Sequence, residues 1–289
     1  MKVSGFTIVK NAVKFDYPVV EAITSVLPLC DEFIVNLGVC DDGTLELIQA
    51  INSPKIKIIQ STWDDSLREG GKLLALETNR AFDAVSADSH WAFYIQADEV
   101  LHEKYLDVVR AAMEQHKHNA HVEGLLFNYT HFYGSYDYVG NSRRWYKREV
   151  RVIRNDKHIR SYRDAQGFRK NDEKLHVKAV DASIYHYGWV KPPKAQQEKQ
   201  KSFHKMWHDD AQVQKMTSAA DEFDYATIDS LVLFVSTQPN VMQKRIQQQN
   251  WHFKFDTSKI NLSAKDKLLM GIENLTGWRV GEYKNFKLI

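Results

Sequence analysis

Apolar and polar positions change rhythm in blocks along the first hundred residues. Val3–Val9 is an apolar, partly β-branched run and predicts a strand. Between Asp16 and Leu27, Val19, Ile23, Val26 and Leu27 recur at helical spacing. A second strand is expected over Glu32–Leu37, followed by the helix LELIQAI with Asp42 or Thr44 as its cap. A third strand covers Lys55–Gln60. After the loop TWDDSLREGG, a helix carries Leu74, Thr78, Ala81, Phe82 and Val85 on one face. A fourth strand, His90–Ala97, runs straight into Asp98-Glu99.

Strand and helix in strict alternation predict an α/β fold with a mostly parallel sheet covered on both faces. Ligands of such sheets bind at the carboxyl ends of the strands. That rule draws attention to Lys10-Asn11, to residues 36–42 and 61–72, and to Gln96–Glu99. Neither GxGxxG nor GxxxxGK[ST] occurs, so the simplest dinucleotide and P-loop readings are weak.

A helix near Lys104–His116 ends this regime. Strands are expected over Glu123–Tyr133, Glu149–Arg154 and Ala182–His186, as a mixed extension of the sheet. Pro192-Pro193 marks a junction, after which the chain reads as helical, polar and aromatic. The expected organisation is a ligand-binding half over residues 1–100, a second half of the same domain over 101–190 and a helical C-terminal extension over 191–289. There is no internal repeat.

Composition adds exclusions. The 289 residues are 43% hydrophobic and 26% charged, which fits a globular protein and excludes wholesale disorder. A net charge of +2 argues against a surface built for bulk nucleic acid, so no nucleic-acid partner is expected. Two cysteines, Cys30 and Cys40, make no disulfide framework and read as reduced thiols. The apolar N-terminal stretch is short and lacks a small-residue cleavage site. The expected location is therefore cytoplasmic, with a peripheral contact at the inner face of the membrane left open. From Arg143 to Lys178, thirteen Lys/Arg face five Asp/Glu, which reads either as a solvated surface or as a basic wall for phosphates.

Two segments carry the candidate chemistry. In FYIQADEVLHE an apolar strand ends on two acids, Asp98 and Glu99, which need a cation or donors beside them. A hard divalent ion suits such carboxylates, although acids in this place also cap helices. In IYHYGWV, His186 ends a strand-like run, as a further ligand for Mn2+ or as a packed core residue.

The order of elements, the segment IVNLGVCDDGT over residues 34–44, QADE over 96–99 and the later HYGW resemble a family 2-like glycosyltransferase with the GT-A (Rossmann-like) fold. Asp42, Gly43 and Thr44 match that family's VVDDGSTDGT-like stretch, and Asp98 matches the last acid of its DxD-like motif. The likeness covers about residues 1–190. Two departures stand out: Leu37-Gly38 replace paired acids that meet the nucleoside in relatives, and Gln96 replaces the first acid of the DxD-like motif.

The resemblance implies sugar transfer from a nucleotide-sugar donor to an acceptor hydroxyl on a glycan or lipid-linked glycan, metal-assisted and inverting. Mn2+ or Mg2+ would sit on Asp98 and His186. Asp164 is the candidate base that deprotonates the acceptor, with Glu149 in reserve. Donor binding would fall to Lys10, Asn11, Asn36, Asp42, Lys72, Asn79, Gln96, Asp98 and Arg151, with Glu99 as a further acidic residue and Arg154 as a further basic one. Trp189, Trp207, His208 and Trp251 are aromatic candidates for sugar stacking or simple core packing. A nucleotidyltransferase and a non-catalytic nucleotide-sugar binding module are the rival readings. Their discriminants are a glycine-rich basic loop early in the chain, which KNAVKFDYP does not supply, and donor turnover.

Overall fold

The computed structural model describes residues 1–64, 66–67, 70–205 and 220–289. Its centre is four parallel strands: β1 (Val3–Val9), β2 (Glu32–Gly38), β3 (Ile56–Ser61) and β4 (Trp91–Tyr94), in spatial order β4-β1-β2-β3. The chain first winds outward from β1 to β3, then returns past β1 to place β4 on its other side. The direction of winding therefore reverses between β1 and β4, and the carboxyl ends of these two strands frame a crevice.

Both faces of β1 and β2 are buried, which explains why apolar side chains fall on both faces of these strands, with Ser4, Thr7, Glu32 and Asn36 as their buried polar members. Val3, Val9, Phe33, Val35 and Leu37 pack on one side with the buried face of α1 (Val19–Val26) and with Ile48 of α2 (Thr44–Gln49). Phe6, Ile8 and Ile34 pack on the other with Leu73, Ala81 and Phe82 of α3 (Lys72–Asp83). Each fully buried side chain of this size stabilises the fold by about 1.5–3 kcal/mol.

After β4 the sheet becomes mixed. A short β5 (Glu99–Leu101) and α4 (Leu106–His116) precede β6 (Gly124–Tyr133), β7 (Ser135–Gly140) and β8 (Arg148–Arg154). β8 lies antiparallel between β4 and β6. A separate small sheet joins β9 (Ile159–Tyr162), β10 (Gly167–Lys170) and β11 (Glu173–Lys174). β12 (His176–Trp189) is far longer than the expected Ala182–His186 and runs parallel to β6 and antiparallel to β5. Strand pairing extends it in both directions, so its polar ends, invisible to the periodicity, become strand.

The C-terminal third mixes helix with other structure. α5 (Pro193–Lys205) follows the junction, but β13 (Leu231–Leu233) adds an edge to the main sheet and β14 (Lys287–Leu288) pairs with β12. Between them lie two α-helices, α6 (Gln243–Gln247) and α7 (Ala264–Thr276), and a short 3-10 turn at Asn240–Met242. Phe223, Phe253 and Phe255 of this third pack on the aromatic residues of β6 and β7, including Tyr133 and Tyr138. Trp207 and His208 lie outside the described residues. No described helix is long and apolar enough to cross a membrane. Cys30 and Cys40 are not bridged.

Candidate functional site

A cavity of about 600 Å³ opens at the crevice between the ends of β1 and β4. Lys10 and Asn11 follow β1 on its wall; Gln96 and Asp98 follow β4. Arg151 reaches it from β8, His186 from β12, Asp164 from the turn between β9 and β10, and Lys199 from α5. Trp63, Tyr94, Tyr146 and Trp189 give it an aromatic lining. Lys10 Nζ stands 5.7 Å from the Trp63 ring centroid.

Asp98 is the best-furnished acid on the wall. Its Oδ2 lies 3.1 Å from Lys199 Nζ and 3.8 Å from His186 Nε2. Burial alone would raise its pKa, but the positive charge beside it, that of Lys199 foremost, outweighs burial and holds the carboxyl well below the usual range. Gly188 is required beside this pair. A Cβ there would lie 2.6 Å from His186 Nε2 and 2.8 Å from Asp98 Oδ2.

The proton on His186 can be placed by hydrogen-bond logic. His131 Nε2 is 2.9 Å from the Tyr146 carbonyl, which only accepts, so that nitrogen carries the hydrogen. The Nδ1 of a neutral His131 then accepts from His186 Nδ1 at 3.1 Å. Both rings are held neutral: burial pushes His131 down to about 3 and lowers His186 as well. His186 therefore presents an Nε2 lone pair toward Asp98.

Glu99 has a different role from its neighbour. It is wholly buried and takes two hydrogen bonds from Arg151, from Nε at 2.8 Å and Nη2 at 2.7 Å, and another from the Tyr129 hydroxyl. Arg151 thus lines the cavity while its guanidinium is committed to Glu99. Gln96 also has a defined task. Its side-chain nitrogen donates to the Ala165 carbonyl at 3.3 Å and ties the end of β4 to the Asp164 turn. A carboxylate in that place could not donate, which gives the departure from an acid a structural reason.

Asp164 sits between two residues with left-handed backbone, Arg163 (φ 56°) and Ala165 (φ 60°), in a turn that aims it at the cavity. Burial raises its carboxyl pKa, in the direction a general base needs. Glu149 is buried and absent from the cavity wall. Burial takes its pKa up to about 8 despite Arg151 nearby.

Several nominated donor residues are not brought to this wall. Asn36 is buried, donates to the carbonyl and carboxylate of Glu77 at 2.9 Å each, and accepts from Ser61. Asp42 accepts from the backbone of Lys14 and from Thr44, joining the loop after β1 to the start of α2. Asn79 accepts from the Ser161 backbone. Lys72 is exposed at the start of α3. Arg154 gathers carbonyls of residues 116–122 beneath α4. Trp251 donates to the Gly134 carbonyl. Asn36, Asp42, Asn79, Arg154 and Trp251 are thereby explained by packing elements together.

Lys199 was not anticipated, because KAQQEKQKSF reads as a solvated helix with no signal separating one lysine from the next. Lys191, wholly buried at the same junction, donates to the Phe15 carbonyl at 2.8 Å and lies over the Tyr17 ring. Its burial among these groups lowers its pKa strongly.

The expected metal pair is only partly a metal site. Asp98 and His186 Nε2 converge, but Glu99 is turned into the core and Gln96 offers no charge. Among the described residues no group of three or more His, Cys, Asp or Glu is placed to hold an ion. The Asp98 carboxylate is already paired with the Lys199 ammonium. This donor set does not fit a hard divalent ion, which seeks several oxygen ligands.

No family model matches the chain, and no curated protein matches it. Among solved structures it is similar to S. aureus TarS, at 15% identity and a TM-score of 0.42, over 70% of this chain and 38% of that one. It is also similar to the 4-diphosphocytidyl-2C-methyl-D-erythritol synthase of Anaerococcus prevotii, at 14% identity and a TM-score of 0.40, over 66% of this chain and 89% of that one. Glucosyl-3-phosphoglycerate synthase from Mycobacterium tuberculosis, solved with Mn2+, UDP and phosphoglyceric acid, is similar at 17% identity and a TM-score of 0.31, over 45% of this chain and 43% of that one. The chain thus spans about two fifths of the TarS length. These likenesses concern the outline of the fold and carry no argument about the reaction; the α/β, mostly parallel sheet flanked by helices rests on the strand order itself.

Proposed function

We propose that this chain is a glycosyltransferase that moves a sugar from a nucleoside-diphosphate donor to an acceptor hydroxyl. The observation that carries the reading is the placement of Asp98, Asp164, His186 and Lys199 on one cavity at the point where the winding of the sheet reverses. The motif resemblance gives this cavity its substrate class. The loop after β1, with Lys10 and Asn11, takes the nucleoside end beside Trp63. The diphosphate lies toward Lys199, whose ammonium offsets the charge that builds on the leaving group. Asp164 accepts the proton of the attacking hydroxyl, and displacement from the opposite face of the sugar inverts the anomeric carbon.

Mn2+ or Mg2+, which the resemblance implies, is given no step here because the donor set does not fit it. The aromatic side chains Tyr146 and Trp189 suit the apolar face of a sugar ring.

Incubation with a panel of nucleotide sugars and an acceptor mixture, followed by assay of released nucleoside diphosphate, tests this reading. Asp164→Asn should keep donor binding and lower transfer by about 10²–10⁴-fold. An Asp164→Asn protein of full activity would remove the base assignment. No release from any donor would remove the transferase reading.

A further inference from the structure

Resting on the reading just given, we infer that Lys199 is the built-in cation of the diphosphate site, taking the place that a divalent ion holds in metal-assisted transferases. Three acceptors converge beside Gly188: the Asp98 carboxylate, the Gly188 carbonyl and the lone pair of His186 Nε2. Lys199 Nζ is hydrogen-bonded to the first two, at 3.1 Å to Asp98 Oδ2 and 3.0 Å to Gly188 O. His186 Nε2 stands 3.8 Å from the same Asp98 oxygen. A lone pair and a carboxylate this close repel each other unless positive charge lies beside them, and Lys199 supplies it.

The ammonium is also fixed in direction. An ammonium has three N–H donors, and two are used by Asp98 and Gly188. Tyr17 lies beneath it, with the nitrogen 5.1 Å from the ring centroid. The remaining donor belongs to a side chain that lines the cavity, together with Gln200, Ser202 and Phe203 of the same helix. A positioned, largely buried ammonium is the group that recognises a terminal phosphate as a point charge. Asp98 then serves as the anchor of the lysine, and α5 is part of the donor site.

The direct test is calorimetric titration of the whole chain with UDP, GDP, CDP and dTDP, each in EDTA and again in Mn2+. At least one diphosphate should bind in EDTA with an affinity within about threefold of that in Mn2+, since no ion-mediated term contributes. Lys199→Met keeps the aliphatic stem over Tyr17 and should weaken that binding about tenfold or more. The comparison of EDTA with Mn2+ on the unmodified chain needs no variant, so a poorly folding Lys199→Met protein does not block the test. Binding that appears only with Mn2+ would overturn the role of Lys199 and leave the transferase reading standing. Binding in EDTA that Lys199→Met does not weaken would overturn it as well. Absence of binding by all four diphosphates in both buffers would remove the transferase reading and this inference together.

Discussion

Thirteen basic residues crowd the stretch from Arg143 to Lys178, and their partners lie largely within the protein. Arg143 and Lys147 hold Glu273 of α7, Arg160 holds Asp83 and Lys170 holds both Glu123 and Asp156. Arg151 is closed on Glu99. The helix α5 has a plainer sequence, yet it delivers the ammonium of Lys199 to Asp98 on the cavity wall. The contrast shows that density of charge along the chain says little about where charge lines the cavity. The basic stretch is dense because its strands stand between acidic neighbours on several elements. Lys199 matters because Gly188, Asp98 and Tyr17 surround it.

The sharpest way to break this comparison is at Arg151. Arg151→Met should leave Glu99 buried without its partner and cost about 3–5 kcal/mol of stability. Urea unfolding measures it, and a loss below about 1 kcal/mol would mean the pair is not structural.

A second effect follows from Glu149 beside the same arginine. Its folded-state pKa is raised to about 8 from an ordinary 4.5. The folded chain therefore keeps a proton that the unfolded chain has lost, and this contribution to stability falls as pH rises from 4.5 toward 8. The slope is about 1.4 kcal/mol per pH unit within that window. Glu149→Gln should flatten the decline, as read by chemical denaturation at pH 5 and pH 8. Parallel curves for the two proteins would show that Glu149 titrates at its ordinary value.

The smallest effect is expected at the exposed pair of Arg160 with Asp83. Arg160→Ala should change stability by about 0.2–1 kcal/mol and leave nucleotide affinity untouched. A marked loss of affinity would return the basic stretch to the ligand.

Much of the architecture was legible. β1 matches its expected limits, Val3–Val9, because both of its faces are buried and apolar side chains line both. β7 and the small sheet β9–β11 left no such trace. IRSY, GFRK and EK are short and polar, and their pairing is set by turns with left-handed backbone at Arg163, Asn171 and Asp172. The C-terminal third reads as helical because its polarity has no strand period, whereas aromatic packing on β6 and β7 decides much of its course.

Asp98 and His186 stand out in the sequence because each follows an apolar, strand-like run, and both line the cavity, although His186 lies within β12 rather than at its end. Asn36 near the end of β2 and Asp42 in the loop after it stand where the pattern puts them, but both satisfy backbone and side-chain partners inside the fold. Lys199 depends on a helix docking across the end of β12, which nothing local to its sequence announces.

The central claim is that the diphosphate of the donor is met by Lys199 at the rim of β4. A crystal structure grown in EDTA with the nucleoside diphosphate that binds tests it most directly. The account predicts a phosphate oxygen within hydrogen-bond distance of Lys199 Nζ, beside Asp98 and Gly188. Phosphates seated on the Arg143–Lys178 stretch outside the cavity, with Lys199 still closed on Asp98 and the crevice free of nucleotide, would contradict it.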